Sequence, residues 1–268
     1  MRYFLQLAYD GKPYHGWQRQ YNAHSVQQEL EEALSTIFQE KIEVVGCGRT
    51  DTGVHAKEFY GHFDLDQDED QDYHLNEDPA KEVNPNPDLH PNLLIHKLNS
   101  LLPASIAIYD CFEVPGDLHA RFSAKSRTYE YLIHTHKEPF LDGRSYLRKK
   151  MEIDLEKWNE TGKLLLGEHD FSAFSKSGTQ VKTNLCDIQK VEWSKTESGY
   201  RFEIKANRFL RNMVRAVVGS FIDTDGDATR MQAIVDSKNR SEAGTSVPGH
   251  ALYLIGVEYE RSLSTFNG

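Results

Sequence analysis

"VVGCGRTDTGVHA", residues 44–56, runs from two β-branched apolar residues into a turn that sets Arg49, Asp51 and His55 among Gly46, Gly48 and Gly53. Glycine takes backbone conformations barred to other residues and lets a large ligand approach the chain. Upstream, "KIEVVG" (41–46) reads as a strand; downstream, "KEFYGHFDL" (57–65) reads as another, with Phe59, Gly61, Phe63 and Leu65 on one face. Two strands bracketing a polar loop are the middle of a larger unit, and the flanks supply the rest. Before them, "RYFLQLAY" (2–9) is a strand followed by a turn at Asp10-Gly11-Lys12-Pro13. "SVQQELEEALSTIF" (25–38) is a helix: Ser25 with Gln28 makes a capping box, and Val26, Leu30, Ala33, Leu34 and Ile37 recur at helical spacing. After them, "NLLIHKLNSLL" (92–102) is a helix closed by Pro103, and "SIAIYDCF" (105–112) is a strand. The order is βαββαβ.

The rest of the chain repeats that order in weaker form. "RTYEYLIHT" (127–135) is a strand, and "DLEKWNETGKLLLG" (154–167) a helix with Asp154 as cap, Leu155, Trp158 and Leu165 as apolar positions and Gly167 as stop. "DIQKVEWSK" (187–195) and "YRFEIKA" (200–206) are strands joined by a turn at Glu197-Ser198-Gly199. "RFLRNMVRAVVGSFIDTDG" (208–226) is predicted as one helix beginning near Asn207, with Phe209, Leu210, Met213, Val217 and Phe221 on one stripe. "ALYLIGVEY" (251–259) is the last strand. The fold class expected is α+β: two ferredoxin-like βαββαβ halves, one spanning 1–113 and one 114–268, forming a central, mainly antiparallel sheet flanked by helices. Each half then keeps one face open, an arrangement suited to an RNA-binding cleft between them.

At 268 residues the chain has length enough for a substantial core. Its three cysteines, Cys47, Cys111 and Cys186, include no CxxC pair, so neither a disulfide framework nor a thiolate zinc site is encoded. With no signal-like apolar core at the N-terminus and no run of about eighteen apolar residues, a cytoplasmic protein without membrane contact is expected. The net charge of −10 argues at first against a nucleic-acid partner. Residues 64–88, however, hold ten carboxylates and one lysine, so the other 243 residues, with 30 Lys and Arg, carry a net of only −1. That acidic segment reads as a solvated, mobile loop rather than a cation site.

Three clusters can carry chemistry. In the first, Asp51 either caps a turn or acts with Arg49 and His55 on a loop held by rigid strands. The spacing of Asp51 and His55 also fits a pair of metal ligands, but nothing supplies the further ligands a metal requires. Neither a complete dinucleotide loop, a GxxxxGK[ST] run nor a GxSxG elbow is present. In the second cluster, "LHARFSAKSRTYEY" (118–131), Arg121, Lys125 and Arg127 alternate with Phe122, Tyr129 and Tyr131. Such interleaving offers phosphate contacts beside rings on which a base can stack; the plainer alternative is an amphipathic strand with solvated cations. The third is Arg215, set in the apolar stretch from Met213 to Val218, where a buried guanidinium demands a carboxylate partner.

These stretches together resemble the TruA family, tRNA pseudouridine synthase A. "YDGKPYHGWQRQ" with "SVQQELEEAL" is similar to the family's opening, "GCGRTDTGVHA" to its catalytic loop, and "HARFSAKSRTYEYLI" to its tyrosine strand. "GEHDFSAF", "FLRNMVRAVVG" and "GHALYLIGVEY" follow in the family's order, so the resemblance covers nearly the whole chain. It implies the pseudouridine synthase fold, a homodimer, no cofactor, and conversion of uridines thirty-eight to forty of the tRNA anticodon stem-loop. It implies catalytic roles for Asp51 as nucleophile, Tyr129 as the ring against the target uracil, and Arg215 as the cation paired with Asp51. Arg49 would hold the RNA backbone or fill the space left by the flipped nucleotide, Leu252 would line the pocket, and Leu118, His119, Ala120, Arg121 and Phe122 would contact RNA. Cys47 and Thr52 depart from the family's usual alanines, and the acidic segment is an insertion. The carboxylate has three routes open to it: attack on the anomeric carbon, addition to C6 of the ring, or removal of the 2′ proton to give a glycal. Two other readings remain at this point, an RNA-binding module without catalysis and a metal-dependent hydrolase using Asp51 and His55.

Overall fold

Arg2–Tyr9, the strand β1, lies between two antiparallel neighbours and buries Phe4, Leu5 and Leu7 completely. A computed structural model describes residues 1–65, 91–176, 183–260 and 263 of the chain. After β1 comes the helix α1 (Val26–Phe38), where the Ser25 hydroxyl accepts the Gln28 N–H at 3.3 Å and Val26, Leu30 and Leu34 turn inward. The strand expected at 41–46 shrinks to β2 (Val45–Gly46). The residues before it spend their hydrogen bonds on helix side chains instead of a ladder. Ile42 N–H donates to Ser35 Oγ, Val44 N–H donates to Glu31 Oε1, and Gln27 Nε2 donates to the Val44 carbonyl. β3 (His55–Asp64), α2 (Pro91–Leu101) and β4 (Ile106–Val114) complete the first βαββαβ unit.

The second unit runs through β5 (Ala124–His134), a two-residue β6 (Tyr146–Leu147), α3 (Leu155–Gly162) under its Asp154 cap, and β7 (Gly167–Asp170). It continues with β8 (Leu185–Lys195), β9 (Gly199–Ala206), α4 (Met213–Thr224), α5 (Ala228–Ser237) and β10 (Leu252–Tyr259). Two differences from the sequence reading stand out. The helix expected to start near Asn207 starts at Met213, because Asn212 sits at φ 67° and its side chain donates to Ser246 Oγ at 2.5 Å. Phe209 and Leu210 therefore belong to a loop, not to the helical stripe. α5, which the reading passed over, follows an Asp227 cap and buries Met231, Ile234 and Val235.

Among the described residues, one sheet of ten strands joins the units, in the order β4-β1-β3-β10-β5-β9-β8-β7, with β2 beside β3 and β6 beside β5. Counting only the four strands of each βαββαβ core, β1 to β4 in the first unit and β5, β8, β9 and β10 in the second, each unit has the 4-1-3-2 order of a ferredoxin-like fold. Most pairings are antiparallel; β3 with β10 and β5 with β6 are parallel. The β3–β10 seam positions the site. β10 meets β3 at His55 and Ala56, while β2 occupies the same edge farther along, at Gly61 and His62. Residues 47–54 fill the fork between them. The acidic residues 66–88 lie outside the described residues.

Candidate active site

The loop in that fork is clamped from the N-terminal unit. Trp17 N–H donates to the Thr50 carbonyl at 3.2 Å, Tyr9 and Thr50 hydroxyls lie 2.9 Å apart, and Gly53 N–H donates to the Tyr14 carbonyl. Gly16, at φ 97°, is needed because a Cβ there would stand 2.3 Å from the Thr50 carbonyl. Gly46 makes room for the Trp17 indole rather than for a ligand, which corrects the sequence reading of that glycine. Val54 N–H closes a turn onto the Asp51 carbonyl, and Gly53 takes the left-handed φ of 76° that this turn requires. Asp51 is thus held by its backbone while its carboxylate stays about a quarter exposed.

Arg215 reaches that carboxylate from α4, 164 residues away: its Nη1 donates to Asp51 Oδ2 at 3.2 Å and its Nε to the Val247 carbonyl at 2.7 Å. Val247 N–H returns a bond to the Arg215 carbonyl, so the 243–248 segment and the helix hold each other. A second guanidinium, Arg211, brings its Nε to 4.0 Å from Asp51 Oδ1 while remaining largely exposed. Its approach follows from the Asn212 turn that delays the helix. Sequence reasoning missed both Arg211 and the Val247 carbonyl; "FLRNMVR" carries the first as a visible cation, whereas the second has no sequence signal.

Tyr129, on β5, is buried, and the Phe209 ring stands edge-on to it at 5.1 Å. Burial pushes its phenol well above the ordinary value, and the Asp51 charge adds to the push while Arg127 opposes it. Leu252 is buried opposite Tyr131, and Leu254 opposite Tyr129, so these four side chains share one face of the sheet. Tyr131 OH donates to the Pro248 carbonyl, next to the residue that receives Arg215. Cys47 is a packed thiol pushed by burial to about 12, with no thiolate available at neutral pH.

Arg49 and Phe122 are exposed, as is Arg121, whose guanidinium is pushed down first by the partial covering of its head group and then by the like charges of Arg49, Arg127 and Arg208. The 118–123 loop turns its other side chains inward. Ala120 is fully buried with its N–H on His62 Nδ1, and His119 Nδ1 accepts the N–H groups of Arg121 and Phe122. His55 is engaged away from Asp51: its Nδ1 accepts the Gly11 N–H, and its Nε2 lies 3.0 Å from the His250 carbonyl. Among the described residues, no three His, Cys, Asp or Glu side chains gather to hold a metal ion.

A duplicated ferredoxin-like sheet with a loop in the fork at its junction is the architecture of a pseudouridine synthase, and a family model described as tRNA pseudouridine synthase matches residues 162–260. The chain is 42% identical to the tRNA pseudouridine synthase A of Bacteroides thetaiotaomicron, covering 98% of this chain and 92% of that protein. It is 44% identical to the protein of the same name from Porphyromonas gingivalis, with 98% of each chain covered, and 36% identical to that of Francisella philomiragia, with 96% and 93% covered. The chain belongs to the tRNA pseudouridine synthase A family, a family of isomerases.

Proposed function

We propose that this protein isomerises uridine to pseudouridine at positions thirty-eight to forty of the tRNA anticodon stem-loop, as a cytoplasmic homodimer without a cofactor. The observation that carries the reading is the 3.2 Å pair of Asp51 and Arg215 at the seam of the two units. Moving the ribose bond of uracil from nitrogen to carbon needs a carboxylate that stays anionic beside an extruded base. A guanidinium supplies the counter-charge, since it keeps its proton at any relevant pH. Asp51 is the nucleophile, Tyr129 the ring against the uracil, and Leu252 part of the pocket wall. Arg49, Arg121 and Phe122 receive the RNA, the cations on phosphates and the exposed ring on a base, with the backbone of Leu118, His119 and Ala120 shaping their loop. Stacking returns about 1 to 3 kcal/mol per base against the few kcal/mol that flipping requires.

The test is tritium release from C5-labelled uridine in tRNA, with and without Asp51→Asn. Wild-type release, abolished by Asp51→Asn with tRNA affinity kept within about tenfold, is the expected result. Binding without release in the wild type would make the protein an RNA-binding module. Full release in excess EDTA would exclude a metal-dependent hydrolase. Sedimentation with and without an anticodon stem-loop tests the dimer.

A further inference from the structure

The sequence pattern assigns Arg121, Lys125 and Arg127 alike to phosphates, but the structure separates them. Arg127 turns inward. Its Nη1 donates to the carbonyls of Ala124 and Asn207 at 2.9 and 3.1 Å, and its Nη2 to those of Cys47 and Arg121 at 2.8 and 2.6 Å. We propose that Arg127 is a positioning residue that fixes the Asp51 loop against the loop leading into α4, and so sets the Asp51–Arg215 contact.

Four observations bear this out. The Cα of Arg127 is held in the sheet on both sides, paired with Ala206 of β9 and Val257 of β10. From that fixed point a planar guanidinium presents donors in a rigid fork, so the carbonyls it binds are held at set separations. Cys47 and Asn207 come from the two different units of the fold, and each stands four residues before a charged group of the site, Asp51 and Arg211 respectively. The fork therefore joins the roots of two loops whose tips meet at the carboxylate. Arg121, held by the same guanidinium, is the root of the exposed Arg121–Phe122 tip. A shift of about 1 Å in such a geometry costs on the order of a hundredfold in rate. Lysine has one nitrogen with three donors and cannot reproduce a fork across four carbonyls.

For the activity readout the inference rests on the proposed function; a second readout does not. Arg127→Lys and Arg127→Met are compared with wild type for tritium release and for hydrogen exchange over 44–56 and 205–214. Expected are a kcat about tenfold lower for Arg127→Lys and about a hundredfold lower for Arg127→Met, with KM changed less than about threefold. Exchange should quicken at 47–51 and 207–211 while β5 and β9 keep their protection. A raised KM with kcat intact would make Arg127 a phosphate contact and overturn the proposal, as would unchanged kcat in both variants. Uniformly faster exchange would reduce Arg127 to a stability residue. Should Arg127→Met fail to fold, Arg127→Lys decides. If Asp51→Asn proves fully active, the functional reading falls, and the exchange data alone judge the clip.

Discussion

Arg215 answers two acceptors with one planar group, Asp51 through Nη1 and the Val247 carbonyl through Nε. Lysine keeps the charge but donates from a single point, so it loses the fixed separation by which Nη1 and Nε meet the carboxylate and the carbonyl. Arg215→Lys should therefore lower kcat by at least about tenfold while KM moves less than about threefold and the melting temperature drops only slightly. Steady-state kinetics beside a thermal melt checks this; losses of kcat and stability in step would make the pair a scaffold. Tyr129 allows a second test. Burial, reinforced by the Asp51 charge against the pull of Arg127, raises its phenol far enough that the hydroxyl keeps its proton through neutral and mildly alkaline solution. The rate lost in Tyr129→Phe should then be the same at about pH 7 and about pH 9. A ratio that grows with pH would show a phenolate at work. That Arg215 needs a carboxylate partner is legible in its apolar stretch, whereas the choice of Asp51 as that partner and the singling out of Tyr129 come only from motifs that resemble a family. The Val247 carbonyl has no such signal, since any residue offers a carbonyl and only the fold aims this one.

The element most exposed to acid is the 118–123 loop, which hangs on two imidazoles. His62 is 3% exposed and accepts the Ala120 N–H at its Nδ1; burial first, then the charges of Arg2 and His119, push its pKa to about 4, against the pull of Asp64. In the unfolded chain the ring takes a proton near its ordinary value of 6.5, whereas in the folded chain it does so only near 4. The stability it contributes is thus whole above pH 6.5 and lost as the pH falls through 4, on the order of 1 to 3 kcal/mol. Urea midpoints should decline across that window, with His62→Gln flattening the decline only in part, because His119, His134 and His250 are lowered as well, each mainly by burial. A midpoint independent of pH would refute this. Elements like α1 and α3 were legible because a capping side chain and an apolar period are local signals. The true start of α4 was not: Arg208 to Asn212 fit the helical stripe, and what breaks it is Ser246, 34 residues away. Likewise 41–44 alternates as a strand should, yet its amides bond to Ser35 and Glu31. α5, by contrast, had both a cap and a period and could have been read.

Across the whole molecule, charge is distributed against its own total. The chain carries −10, yet Arg49, Arg127 and Arg208 all lie near enough to act on Arg121, and Arg211 stands at Asp51. Arg127 is spent on carbonyls, so on the proposed function Arg49, Arg121, Arg208 and Arg211 are the cations left for phosphates. Each phosphate neutralised releases counterions and adds about one to the slope of log Kd against log salt. Arg49→Gln, Arg121→Gln and Arg208→Gln should therefore each flatten that slope for tRNA by about one, whereas Arg127→Lys should leave it unchanged. The acidic segment carries charge of the sign that repels RNA. Residues 66–88 hold nine carboxylates and one lysine, so deleting them shifts the net charge from −10 to −2. At low salt the shortened chain should bind tRNA more tightly and less selectively; near physiological ionic strength, where the Debye length is about 8 Å, the difference should fade. Its kcat should match wild type, since none of the described groups around Asp51 is removed. Filter binding over a salt series decides the matter: equal affinities at every salt concentration would show that the insertion has no part in steering RNA.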